Sequence, residues 1–478
     1  MKKHIIVYIT LVALIFGCTK DFEEINTNPN QPESVSADLL MSTVISTIAA
    51  RNVSTGWSNG NIVSQLTAKI NFTGFDRYNW GSESGTWNTY YGILPEIDII
   101  MKLAAEEETK NTSYEGMALV LRSYVFANLT DNWGDVPFSE AINGNNDNFK
   151  PKYDSQESIY TGILEDLKKG EEQLALGQTI LGGDILYGGD TEKWRKFANS
   201  LRLRYLMRIS NKKDVSGEMQ AIVDSGMFIS SNEDNAVMNY PASSKIDSWP
   251  ISTGRIGGFD EHRMSETSEA ILKGNGDGRL EKWFQPTDNP NDDPALFVGL
   301  TNGLSEDNAS TFNGGASNVS RLNQPLFYDS PNSVKAAIIQ AAEIHFILAE
   351  AAQRQLISGD AKPHYDQGVR QSFEYWNVTQ DIDAFLLQAG VAYDGEIETI
   401  ITQKWLASFM VGLEAWYDFR RTGFPSVIVP GPDNVNGDNV PVRFLYPDSE
   451  QTLNTENYNA VISVMGVDDI NVKGWWEN

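Results

Sequence analysis

Apolar residues recur every three or four positions through much of the chain, and that period predicts helices. Ile159, Tyr160, Ile163, Leu164 and Leu167 fall on one helical face, and Asp154-Ser155-Gln156-Glu157 ahead of them reads as a capping-box variant. Trp194, Phe197, Ala198, Leu201 and Tyr205 repeat the pattern behind Asp190, and such an aromatic stripe is more often helix-on-helix core than a ligand platform. The same spacing predicts helices over approximately Ser36 to Ala50, Thr86 to Ala105, Ser113 to Thr130, Ser333 to Leu356, Pro363 to Trp376 and Glu396 to Phe419. No strand alternation survives over such lengths, so the expected class is mostly α. Paired helices with short turns suggest a helical-repeat scaffold, although a tetratricopeptide consensus with its roughly 34-residue period is missing.

Two stretches break the rhythm. Asn239 to Asn332 is crowded with Gly, Asn, Ser, Asp and Pro, and Ser426 to Asn478 is irregular. The first still holds Trp249, Phe259, Trp283, Phe284, Phe297 and Phe327, more aromatic than disorder tolerates, so it reads as ordered loops that build a site. The chain therefore divides into helical scaffold at 36–238, a loop-rich binding region at 239–332, a second helical part at 333–425, and a C-terminal irregular region at 426–478 packing on the scaffold.

The first 35 residues carry different information. Lys2, Lys3 and His4 precede an apolar run from Ile5 to Phe16, and Gly17 is the small residue before a cut. That run is shorter than the roughly 20 residues a membrane-spanning helix needs. Leu14-Ile15-Phe16-Gly17-Cys18 matches a relaxed bacterial lipobox, which predicts a signal peptide at 1–17 and lipidation of Cys18. Two acyl chains suffice for stable anchoring. Thr19-Lys20-Asp21-Phe22-Glu23-Glu24 resembles the Lys-plus-acid signal of surface lipoproteins, and 18–35 reads as a lipidated tether.

Charge removes one class of partner. Lys plus Arg total 37 against 64 Asp plus Glu, a net charge of −27, so phosphate backbones are repelled and nucleic acid is not expected. Cys18 is the only cysteine, which rules out an intramolecular disulfide and a Cys-based zinc cluster.

Catalytic signals are few. Gly56-Trp57-Ser58-Asn59-Gly60 satisfies the G-x-S-x-G pattern of a serine nucleophile elbow, with Ser58 as nucleophile and His262, His345 or His364 as base. The elbow needs a strand before the serine, yet Leu39 to Ala50 reads as a helix. His345 sits on an apolar helix face, where a core histidine is the commoner case. Glu106, Glu107 and Glu108 suit a solvated helix end better than a glycosidase pair. Cofactors are not expected. Calcium is the one metal worth testing, through Asn275, Asp277 and Glu281 or through Asp292 and Asp293, but the EF-hand register fails because Lys273 would fall at its first position and Phe284 at its last.

Sugar binding wants aromatic faces beside Asn, Asp and Arg groups on an exposed, preformed surface. Phe72-Thr73-Gly74-Phe75-Asp76-Arg77-Tyr78-Asn79-Trp80 concentrates these types, with Trp57 just upstream. Trp249, Arg255, Phe259, Trp283 and Phe284 offer a second set. The candidate ligand contacts are accordingly Trp57, Asp76, Arg77, Tyr78, Trp80, Trp249, Arg255 and Trp283, and a peptide could use the same grooves through its backbone.

Several blocks in order resemble the SusD/RagB family, in particular its SusD-like lipoprotein branch. They are Ser123-Tyr124 leading to Asp131-Asn132-Trp133-Gly134-Asp135-Val136-Pro137-Phe138; Tyr153 to Tyr160; Lys193-Trp194-Arg195-Lys196-Phe197-Ala198-Asn199-Ser200-Leu201-Arg202-Leu203-Arg204; Glu343 to Ala351; and Trp416-Tyr417-Asp418-Phe419-Arg420-Arg421-Thr422-Gly423. Asp277-Gly278-Arg279-Leu280 resembles a family Asp-Pro-Arg-Leu turn, with Gly278 in place of the proline. The resemblance implies four tetratricopeptide-like helix pairs against a loop-rich subdomain, no catalysis, and a lid role over a SusC-type TonB-dependent outer-membrane transporter. The ligand it implies is an oligosaccharide, with peptide as the alternative. The blocks themselves are expected to be structural, with Trp133, Asp135 and Trp194 holding helices together.

Overall fold

The computed structural model describes residues 36–142, 148–291 and 296–477. Helices dominate them: α1 (Ala37–Thr55), α2 (Ser84–Ala105), α3 (Thr112–Trp133), α4 (Gln156–Leu174), α5 (Thr191–Ile209) and α6 (Ser216–Ser225) occupy the first half. After the loop-rich stretch, with α7 (Glu266–Gly274) inside it, come α8 (Ala341–Gln353), α9 (Ala361–Tyr375), α10 (Ile397–Ala407), α11 (Glu414–Thr422) and α12 (Thr455–Met465). Sequential neighbours pack as pairs, α2 with α3, α4 with α5 and α8 with α9, and α3 packs on α4 to join the first two pairs. This is the tetratricopeptide-like stacking that the periodicity and the motif blocks pointed to.

Side-chain caps set several helix starts. Asp190 accepts from the backbone N–H groups of Glu192 and Lys193, and Asn111 from those of Ser113 and Tyr114. The α4 cap is Ser155, which accepts from the Ser158 N–H. Asp154 instead accepts from Phe138 N–H at 2.9 Å, tying the incoming chain to the end of α3.

Two expected helices are interrupted. Ser333 to Leu356 begins as a strand: β4 (Ala336–Ile339) pairs antiparallel with β2 (Ala236–Met238) before α8 starts. A short buried apolar run does not distinguish strand from helix by periodicity. Glu396 to Phe419 is broken between α10 and α11 by a turn in which Met410 and Gly412 take φ of 65° and 50°. The C-terminal region expected to be irregular contains α12.

The motif blocks converge in the core as two buried ionic networks. Arg204 Nη2 lies 2.5 Å from Glu343 Oε2, and its Nη1 lies 3.3 Å from Glu414 Oε1. One turn further along α5, Arg208 pairs with both Asp131 and Glu414. Lys404 reaches Asp418 at 2.7 Å, and Arg421 reaches Glu350 at 2.5 Å and Asp418 at 3.0 Å. Helices α3, α5, α8, α10 and α11 are thus joined by charges that are almost wholly buried. Such pairs contribute little net stability against an apolar replacement, but removing one member strands the other in low dielectric. Trp133 and Trp194 are fully buried, and their indole N–H groups donate to Leu445 O and Asp184 Oδ2.

Candidate binding cleft

The end of α1 continues into a π-helical turn, Gly56–Gly60, and a short helix, Asn61–Val63. The turn fits closely against the α10–α11 connection, where a Cβ on Gly60 would lie 1.9 Å from Gly412 O. The chain then enters β1 (Thr67–Lys69), which pairs antiparallel with β3 (His262–Met264), Thr67 opposite Met264 and Lys69 opposite His262. This pairing brings the Phe72–Trp80 loop beside the Pro250–Glu261 segment.

Between them lies an open cleft of about 440 Å³, lined among others by Trp57, Phe72, Phe75, Arg255, Phe259 and His262. The Trp57 ring stacks on Phe259 with centroids 5.6 Å apart and meets the His262 ring at 4.2 Å. Phe72 is 69% exposed. It adopts φ 53°, a left-handed conformation unfavourable for a bulky residue. Glu306 holds it there, accepting from Phe72 N–H at 2.7 Å and Thr73 N–H at 3.0 Å. Lys69 Nζ lies 2.7 Å from Glu261 Oε2, and the exposed Arg255 lies 3.5 Å from Glu261 Oε1, so both cations share one carboxylate. Burial pushes the His262 imidazole well below its usual pKa, with Lys69 and Arg263 adding to the effect. The arrangement provides one exposed aromatic ring, Phe72, backed by the buried Trp57 and Phe259, beside a guanidinium and a carboxylate, the groups that a polyhydroxylated ligand requires.

Of the residues anticipated from sequence, Trp57 and Arg255 line this cleft. Trp249 and Trp283 are fully buried and offer no face to a ligand; they pack on Tyr240 and Phe409 at centroid distances of 5.8 and 4.4 Å. Asp76 and Tyr78 are buried too. Asp76 accepts from Lys69 N–H at 3.0 Å and Asn302 Nδ2 at 2.8 Å, and burial raises its pKa to about 6, so it staples the loop. Arg77 donates to Asp433 O at 2.8 Å. Trp80 stacks between Phe75 and Phe444 at 4.6 and 4.9 Å, supporting the loop from behind. The burial of Asp76, Tyr78, Trp249 and Trp283 has one cause, since the residue types that grip a sugar are also those that anchor a long loop, while Arg77 and Trp80 stay half-buried outside this cleft.

Phe72, Phe75, Phe259, His262, Lys69 and Glu261 are among the cleft residues missing from the expected set. Phe72 and Phe259 stood inside the two aromatic segments, but nothing local showed that Phe72 is exposed or that the buried Phe259 borders a cleft. Ser58 also lines the cleft, yet a helix rather than a strand delivers it, and no hydrogen bond joins it to His262 among the described residues. The nucleophile-elbow geometry is therefore absent at Ser58.

For calcium, Asp277 is committed to Arg279 at 2.6 Å, and Asp292 and Asp293 lie outside the described residues. Among the described residues no group of three His, Cys, Asp or Glu side chains could hold a metal ion. Cys18 also lies outside the described residues. No described helix is long and apolar enough to cross a membrane.

Comparison with known proteins agrees with the architecture. Two solved SusD homologues from Bacteroides fragilis superpose with TM-scores of 0.81 and 0.80 at 26% and 25% identity, the alignments covering 92% and 93% of this chain and 100% and 99% of theirs. A structure described as a chitin-binding protein superposes with a TM-score of 0.81 at 26% identity, covering 92% of this chain and 99% of its own. A search of curated proteins finds no match. The family model described as starch-binding and associating with the outer membrane matches residues 29–447, and the chain belongs to this SusD-like family.

Proposed function

We propose that this protein is a non-enzymatic, lipid-anchored receptor at the outer face of the outer membrane, which captures glycan oligomers and hands them to a SusC-type TonB-dependent transporter. The observation that carries the glycan reading is the cleft itself: a preformed hollow lined by the exposed Phe72, the buried rings of Trp57 and Phe259, and the charged groups of Arg255 and Glu261. Aromatic faces meet the apolar side of a pyranose, and charged groups fork onto its hydroxyls. A structural relative described as a chitin-binding protein supports a saccharide over a peptide. Anchoring through Cys18 follows from the lipobox, and the transporter partnership from the family resemblance.

The test is a binding screen of residues 19–478 against polysaccharide, oligosaccharide and peptide panels by affinity electrophoresis and calorimetry. Phe72 and Arg255 are exposed, so Phe72→Ala and Arg255→Ala should leave the fold intact and weaken the bound glycan at least tenfold. Peptide binding alone, turnover of a panel member, or the absence of any glycan that either substitution weakens would overturn the proposal.

A further inference from the structure

A second cleft, sharing no lining residue with the first, opens beside the C-terminal end of α9. Its volume is about 450 Å³, within the range that encloses small ligands. Tyr375 and Trp376 form one wall, their rings 5.3 Å apart and nearly perpendicular. Trp283 at 5.7 Å and Phe409 at 6.0 Å back the Trp376 ring and fix it in place.

Three further observations bear on what this wall could meet. Trp376 is only 8% exposed, and its indole Nε1 donor has no acceptor among the described residues. A buried donor left unpaired costs roughly 1–3 kcal/mol, which an incoming acceptor would recover. The polar frame is already rigid: Asn232 donates from its backbone to Gln371 Oε1 at 2.8 Å and from Nδ2 to Glu374 Oε2 at 3.2 Å, while Asn235 Oδ1 accepts from Ala341 N–H at 2.7 Å. Finally, Lys282 and Lys335 both line the cleft, and neither ammonium has a carboxylate or other acceptor among the described residues.

The last point separates the two clefts. In the first, Lys69 and Arg255 are both turned onto Glu261. In the second, Glu374 is the one lining carboxylate and already accepts from Asn232, so two ammonium groups stand uncompensated in a chain of net charge −27. Unpaired cations beside an aromatic wall and a buried donor suit a ring that carries negative charge.

We infer that the cleft formed by Lys282, Lys335, Tyr375 and Trp376 binds an acidic saccharide, one whose ring bears a carboxylate or a sulfate ester, independently of the first cleft. The ring lies against the aromatic wall, an oxygen accepts from the Trp376 indole, and the two lysines hold the anionic group. This inference does not depend on what occupies the Trp57 cleft.

Calorimetry on residues 19–478 with trigalacturonate, its methyl ester, a glucuronate-containing disaccharide and a 6-sulfated disaccharide tests it. At least one acidic probe should bind, the neutral methyl ester at least tenfold more weakly than trigalacturonate if the carboxylate is the recognised group, and a sulfated probe alone if the sulfate is. Lys282→Gln combined with Lys335→Gln should weaken the acidic probe at least tenfold, whereas Phe72→Ala should not. Trp376→Phe, with its fold checked by circular dichroism, should weaken binding while retaining the ring. Failure of every acidic probe to bind, an affinity within twofold of the parent in the double lysine variant, or loss of acidic binding on Phe72→Ala would overturn the assignment.

Discussion

Arg208→Met tests whether the motif blocks are a structural clamp. The guanidinium of Arg208 pairs with Asp131 and Glu414 and lies 4.7 Å from the Tyr417 ring centroid. The three ionic side chains are 2%, 1% and 7% exposed, so removing the cation leaves two carboxylates without water. Stranding a buried charge costs about 3–5 kcal/mol. Partners that remain place this case at the low end: Asp131 keeps hydrogen bonds from Tyr160 and Trp476, and Glu414 keeps Arg204 at 3.3 Å. An unfolding entropy of roughly 2.1 cal/mol/K per residue, over the roughly 440 residues from 36 to 477, gives about 0.9 kcal/mol/K. A loss of about 3 kcal/mol therefore lowers Tm by about 3 °C. The control is Lys362→Met, which removes an i,i+4 pair with Asp366 whose side chains are 56% and 25% exposed; such pairs contribute about 0.3–0.5 kcal/mol, a shift below about 1 °C. Scanning calorimetry reads both, and calorimetric titration should show glycan affinity unchanged in either variant. Equal Tm shifts for the two substitutions would refute the clamp.

Other expectations are independent of that network. Burial lowers the His345 pKa to about 4 from an ordinary value near 6.5, so its neutral form supports the fold fully above pH 6.5 and loses that contribution as pH falls towards 4, on the order of 3 kcal/mol at the limit. Urea midpoints at pH 7 and pH 4.5 should differ less in His345→Gln than in the parent. Gly60→Ala places a Cβ 1.9 Å from Gly412 O and should destabilise by about 1–3 kcal/mol, whereas Gly74→Ala meets no atom within 4 Å and should be near neutral by thermal melt. Cys18→Ala should move the protein from membrane to soluble fractions when expressed without its transporter; retention in the membrane pellet would sink the lipid-anchor reading.

What the sequence disclosed follows from how local each signal is. The α4 and α5 stripes, at Ile159 to Leu167 and Trp194 to Tyr205, are complete within one window, and both helices formed where expected. Residues 336–339 pair with 236–238 across about a hundred positions, and no local window reports that partner. The site suffered most from this. Trp57 and Trp249 are both buried tryptophans in Gly- and Ser-bearing surroundings, yet only Trp57 borders the cleft. The difference is made by the pairing of residues 67–69 with 262–264, which opens the cleft on one side of Trp57, while Trp249 turns inward against Tyr240.

The same geometry separates what defines the fold from what lines the proposed site. Asp131, Arg204, Glu343, Glu350, Asp418 and Arg421 belong to the motif blocks, and all are buried in two ionic networks, one around Arg204 and Arg208 and one around Arg421. A change at any of them strands a charge, so variation there is penalised through stability. Phe72, Arg255 and Phe259 lie on connections between the blocks, and Phe72 and Arg255 are exposed. Replacing Phe72 or Arg255 leaves those buried charges untouched and alters the surface that meets solvent, whereas Phe259 is buried against Trp57. If the cleft is the ligand site proposed above, Phe72 and Arg255 can change while every motif block stays as it is, and the blocks that reveal the chain's kinship are for that reason silent about what it binds.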